Sequence, residues 1–233
     1  MSAAMRTIDR PKRAQSAPLT ALALVLAYAA GATDAFAFLL LGGVFTANMT
    51  GNLVLAGLTE RPGYHSMITG VVVAIIVFCA ALYGAFRVAR SGSSRIRLVA
   101  VLLVAVFAQV TVLATWLFAP GHASPVALVG LIALSSVAMA AQTAVARRVE
   151  VESGVTTTYV TGTLTSIMRD WADHTPQAWV TRVGVVIALV AGALSGSLLI
   201  GVSDWLGALL PVIASTIGAV ILGSLRRSRQ PNS

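Results

Sequence analysis

The chain has 233 residues, of which 57% are hydrophobic and 10% charged, with a formal net charge of +8 and a single cysteine. A soluble core of this size cannot hide that much apolar surface, which excludes a water-soluble globular domain. The lone Cys79 excludes an internal disulfide and a cysteine-rich metal site, and its apolar surroundings predict a packing role.

Residues 1–18 form a basic tail carrying Arg6, Arg10, Lys12 and Arg13. The first long apolar run, 19–41, follows. Ala27-Tyr28-Ala29 has the form of a signal-peptidase site, but the run is too long for a signal core, so an uncleaved first helix is expected. Asp34 is the one acidic or basic residue well inside a long apolar run. A carboxylate there is costly unless it is protonated, paired or near water, which suits a proton-coupling or cation-binding group. The plainer alternative is a structural hydrogen bond to the segment that follows.

That segment, 43–58, is shorter and rich in Thr, Asn and Gly. On a helix, Thr46 and Thr50 would share one face and Asn48 and Asn52 roughly the opposite one. A lipid-facing segment would not be polar on both sides. A re-entrant or broken helix buried in protein, or lining a wet cavity, is expected, with Gly51 allowing close approach. The plainer role is glue between helices.

Long runs at 67–87, 98–118 and 125–146 come next, the last holding Gln142 near the position that Asp34 occupies in the first run. A second short segment, 154–168, carries Thr157 and Thr161. Asp170 and Asp173, beside Arg169, are read as solvated interfacial charges. Runs at 179–200 and 205–223 complete the series, before a basic tail at 224–233. Gly192 and Gly196 form a GxxxG in the penultimate run, a close-packing face for an intramolecular contact.

Charge fixes the topology. If only the six long runs cross, one side receives Arg6 to Arg13, Arg87 to Arg97, Arg147, Arg148, Arg169, Arg182 and Arg226 to Arg229, while Arg61 alone faces the other. By the positive-inside rule that side is cytoplasmic, with both termini on it, as expected in an inner membrane. Crossing by the two short segments would put Arg87 to Arg97 outside. Trp116 and Trp205 are placed at outer helix ends and Trp171 and Trp179 at the inner side, as interfacial anchors. The same dispersal of basic residues between apolar runs, without interleaved aromatics, argues against nucleic acid.

The sequence repeats. Residues 43–53 align without gaps with 154–164, and six of the eleven positions are identical. Each copy follows one long run and precedes two. The prediction is an all-α integral membrane protein of six transmembrane helices in two inverted three-helix repeats, 19–118 and 125–223, each with a short re-entrant or broken-helix segment.

Gly31-Ala32-Thr33-Asp34-Ala35-Phe36 with Gly42-Gly43-Val44-Phe45-Thr46-Ala47-Asn48-Met49-Thr50-Gly51-Asn52 resembles the first signature of the YoaK-like family of bacterial membrane proteins, a domain of unknown function. Gln142, Arg147-Arg148 and the 157–164 stretch resemble its second. The resemblance implies a small multi-pass protein of permease type, without an established substrate.

Catalytic patterns are absent. His65, His122 and His174 are read as loop residues outside any metal-ligand spacing, and neither GxSxG nor a P-loop occurs. The expectation is a non-enzymatic permease without a cofactor. It would move a small molecule through a site near Asp34, Thr46, Asn48, Thr50, Asn52, Gln142, Thr157 and Thr161, coupled to protons or ions through Asp34. At six spans it is a candidate homodimer. The alternative is a non-transporting scaffold, sensor or assembly factor, with a membrane enzyme third.

Overall fold

A computed structural model describes residues 17–90, 94–118, 124–153, 160–173 and 179–225, all-helical apart from short connections. Six helices are long and apolar enough to cross a membrane: α1 (Ala17–Leu40), α3 (Tyr64–Val88), α4 (Arg95–Phe118), α5 (Pro125–Ser153), α7 (Trp179–Val202) and α8 (Asp204–Ser224). At 1.5 Å per residue, α1 runs about 36 Å, enough for a hydrocarbon core of about 30 Å. Two short helices, α2 (Met49–Gly57) and α6 (Val160–Ala172), fall where the short polar segments were expected.

Local chemistry sets the helix ends. Pro18 and Pro125 stand in first turns, where a missing N–H costs nothing. Ser124 caps α5, its Oγ accepting from Ala127 N at 3.3 Å. After α1, Gly42 and Gly43 take φ of +95° and +77°, which turns the chain back over the helix it has just left.

Side-chain pairings give the helix directions. Along α1 and α7, Leu24 faces Gly184, Tyr28 faces Gly192 and Ala32 faces Gly196, so both numberings rise together and the helices are parallel. Thr33 meets Gln109 and Phe36 meets Trp116, so α4 is also parallel to α1. On α8 the order reverses, with Gly218 at Leu26 and Gly207 at Phe36. If α2 crossed the bundle, α4 would oppose α1; if α6 crossed, α7 would oppose it. Neither crosses.

The core divides into two apolar layers along the bundle axis. One holds Leu22 and Leu26 of α1, Phe78 of α3, Leu102 of α4, Val145 of α5 and Leu222 of α8. The other holds Phe36, Val71, Val112, Leu131 and Ala208 from the same five helices. The outward surface is apolar too, with Ile76, Phe107, Leu194 and Val220 exposed, as lipid contact requires.

Three sequence expectations change. Trp116 is buried against the edge of Phe36, with ring centroids 5.3 Å apart, because α4 turns that face to α1; it is no interfacial anchor. Cys79 is exposed on α3, away from the core. His65 sits in the first turn of α3 and not in a loop, while His122 and His174 lie outside the described residues.

Gly192 and Gly31 place backbone directly on backbone, as the GxxxG reading predicts. A Cβ on Gly192 would strike the carbonyl of Tyr28, and one on Gly31 the carbonyl of Leu189. Gly192→Ala should cost about 1–3 kcal/mol through forced separation of α1 and α7. Gly84→Ala, where a Cβ meets open space, should be neutral or slightly stabilising. Melting temperatures of both variants in mild detergent check this, and equal values would remove the close-contact argument.

Candidate functional site

The turn between α1 and α2 is the most elaborate polar structure among the described residues. Asp34 lies on the last two turns of α1, facing the returning chain. Its Oδ1 accepts from Thr46 N at 2.8 Å and Ala47 N at 2.7 Å, and its Oδ2 accepts from Asn48 N at 3.0 Å. Asn52, fully buried on α2, completes the set. Its Oδ1 accepts from Phe45 N at 2.9 Å and its Nδ2 donates to Phe45 O at 2.6 Å. Four successive backbone amides, 45 to 48, therefore end on two side chains. In a membrane, where lipid offers them nothing, that is the requirement for a non-helical turn.

The remaining residues of the motif support this clasp. Asn48 is the N-cap of α2, its Oδ1 accepting from Gly51 N at 3.0 Å. Gly51 is needed because a Cβ there would meet the Phe45 ring and the Asn48 amide, each at 2.9 Å. Phe45 stacks on Phe38 at 4.9 Å, and the Arg61 guanidinium lies over the other end of that stack, 5.8 Å from the Phe38 centroid. Thr46 is buried, with its hydroxyl lacking a well-formed hydrogen bond, while Thr50 is exposed. The shared-face reading of Thr46 with Thr50 fails for a local reason: α2 begins only at Met49, so Thr46 and Asn48 belong to the clasped turn.

Gln142 stands elsewhere. Its Nε2 donates to Leu26 O at 2.6 Å, and its Oε1 accepts from Ser215 Oγ at 3.5 Å. Leu26 is eight residues before Asp34, so the two polar groups are separated by about 12 Å along α1. They do not form one site in this conformation. Thr157 lies outside the described residues, and Thr161 is placed only as backbone in the first turn of α6.

Sequence reasoning missed two features. Gln109 Nε2 donates to Thr33 Oγ1 at 3.1 Å, a buried bridge between α4 and α1; a lone Gln within an apolar run was the available signal. Asp170 is not solvated, as had been expected. It is buried and ion-paired with Arg182, which pins α6 to α7, with Arg169 at 3.9 Å beyond. Among the described residues no three His, Cys, Asp or Glu gather as metal ligands.

Both arrangements yield expected outcomes. Asp34→Asn replaces one acceptor oxygen by a donor facing an N–H, so it should cost about 1–3 kcal/mol, with Asp34→Ala costing more. Asp170→Asn strands a buried guanidinium and should cost about 3–5 kcal/mol, whereas Asp170→Leu combined with Arg182→Leu should recover most of the loss. Thermal melting of the purified variants measures each. An unchanged melting temperature for Asp34→Ala would show that the clasp does not hold the fold.

The chain is similar to the UPF0700 transmembrane protein YoaK of Bacillus subtilis (strain 168), with 31% identity over 154 residues that cover 63% of this chain and 64% of that protein. The match thus spans just under two thirds of the relative's length. No solved structure matches. The family model described as protein of unknown function, DUF1275, matches residues 22–222, the whole helical bundle from within α1 to within α8. With six helices able to span a bilayer, the chain is a multi-pass membrane protein and belongs to that family.

Proposed function

We propose that the protein is a non-enzymatic permease for a small molecule, built from two inverted three-helix units, seated in a bacterial inner membrane with both termini in the cytoplasm. Packing between the units supports the inverted repeat. Exchanging α1, α2, α3 and α4 for α5, α6, α7 and α8 returns the same neighbours: α1 on α7 becomes α5 on α3, α1 on α8 becomes α5 on α4, and α2 on α3 becomes α6 on α7. The contact of α4 with α8 maps onto itself. Two such units related in this way can rock about a shared centre.

The clasp is the observation that carries the functional reading. A carboxylate within a span holds a non-helical turn at one membrane face through three backbone N–H groups. Binding a proton or cation at Asp34 competes with those bonds, which links occupancy of Asp34 to release of the turn. Ion coupling through Asp34 follows from that competition. One observation favours the second reading, a non-transporting scaffold: three backbone amides bind this carboxylate, which is also what pure architecture would require.

Purified protein in liposomes under an imposed proton gradient separates the two. A panel of labelled small metabolites should include at least one that the wild type accumulates. Asp34→Asn, studied below its melting temperature, should retain downhill exchange of that solute and lose accumulation. Accumulation by Asp34→Asn at the wild-type level would exclude coupling through this residue, and absence of any flux above empty liposomes would favour the scaffold.

A further inference from the structure

The two apolar layers meet at a polar level. Thr33 lies between Leu26 of one layer and Phe36 of the other, Gln109 between Ala108 and Val112, and Ser215 between Ala219 and Ala208. On α5, which packs on α1, α3 and α4, Ser135 and Ser136 occupy the interval between Ile132 and Ala138. All five are buried.

The two serines differ from other hydroxyls of the spanning helices, and share an unbonded state only with Thr46 of the clasped turn among the described buried hydroxyls. Thr33, Thr111, Thr115 and Thr216 each donate to the carbonyl one turn back, at 2.7–2.9 Å. That bond is the usual way a hydroxyl is satisfied inside a membrane helix. Ser135 and Ser136 have no exposed surface, yet neither Oγ has a hydrogen-bond partner. Two buried hydroxyls left unbonded on a helix packed against α1, α3 and α4 are costly unless something else fills them.

We infer that Ser135 and Ser136, with the Thr33–Gln109 bridge at the same level, form the binding site for a small uncharged polyol-type solute on its way through the bundle. This rests on the permease reading and names its substrate class. The groups at this level are hydroxyls and carboxamides, which both donate and accept. No charged side chain stands among these residues, and Asp34, next to Thr33, is engaged by three backbone amides. Ser135, Ser136, Thr33 and Gln109 offer an ion no counter-charge of their own, whereas a hydroxylated solute exchanges its water for matching partners. The bridges on either side, Thr33 with Gln109 and Gln142 with Ser215, pair the first and last helix of each unit through one carboxamide and one hydroxyl.

Glycerol is the probe. Stopped-flow light scattering on liposomes holding the full chain should show glycerol permeation well above that of empty liposomes, with no matching sodium or potassium flux. Ser135→Ala combined with Ser136→Ala should lower glycerol permeation about tenfold, the equivalent of about one hydrogen bond to the solute, and each single variant should lower it less. Melting temperature should stay constant or rise, because neither hydroxyl has a protein partner to lose. A marked fall in melting temperature would mean that the hydroxyls are bonded within the protein and overturn the site. Wild-type permeation by the double variant would overturn it as well. If the wild type moves ions or carboxylates but not glycerol, the solute class is wrong and the permease reading stands. If nothing moves, both fall.

Discussion

Four amides in a row, from Phe45 to Asn48, are satisfied by the side chains of Asp34 and Asn52, and much else in the first half of the molecule depends on that arrangement. Without it, the chain leaving α1 could not reverse inside the bundle, since an unpaired amide in hydrocarbon is prohibitively costly. The reversal places α2 against α3 on the side that α1 has just reached. It therefore lets α3 return antiparallel to α1 and puts α4 parallel to it. The direction of every later span follows.

The second constraint is proximity of backbones. α1 and α7 meet through Gly31 and Gly192, where the two helices approach to a distance that no side chain would allow, with Gly196 also in close contact. In a bilayer, burial of apolar surface gives little preference for helix over lipid, and close packing must supply the association. The loose outer faces of α3 and α7, with Ile76 and Leu194 outward, contrast with this seam. The polar bridges from Gln109 and Gln142 add directional bonds where packing alone would permit sliding.

Much of this was legible in the sequence. Six spans follow from apolar length and the placement of arginines, and the run at 205–223 differs from α8, Asp204–Ser224, by one residue at each end. Asp34, Asn48 and Asn52 stood out as polar groups, and all three side chains bind backbone amides of the same turn and the start of α2. Their geometry was not legible, because helical spacing assumes a helix and the positive φ of Gly42 and Gly43 breaks it before Thr46. Pairings between helices were equally hidden: Asp170 with Arg182, Gln142 with Leu26, and the inward turn of Trp116 all depend on which helices become neighbours. Residue type marked these positions as unusual, but only tertiary packing names their partners.

The parallel seam between α1 and α7 has a consequence for biogenesis. The clasp joins residues at most 14 apart and can close as soon as the first turn leaves the ribosome. The glycine seam joins residues more than 150 positions apart, so the first span must wait until four later spans have been synthesised. During that interval α1 holds an open glycine face, with its local carboxylate already engaged by backbone amides but its main partner absent. At a synthesis rate of about 5–20 residues per second the delay is on the order of 10 s, long on the scale of helix movement in a membrane. Insertion machinery or lipid must shelter that face meanwhile, which makes completion of the chain, and not entry of its first helix, the committing event in assembly.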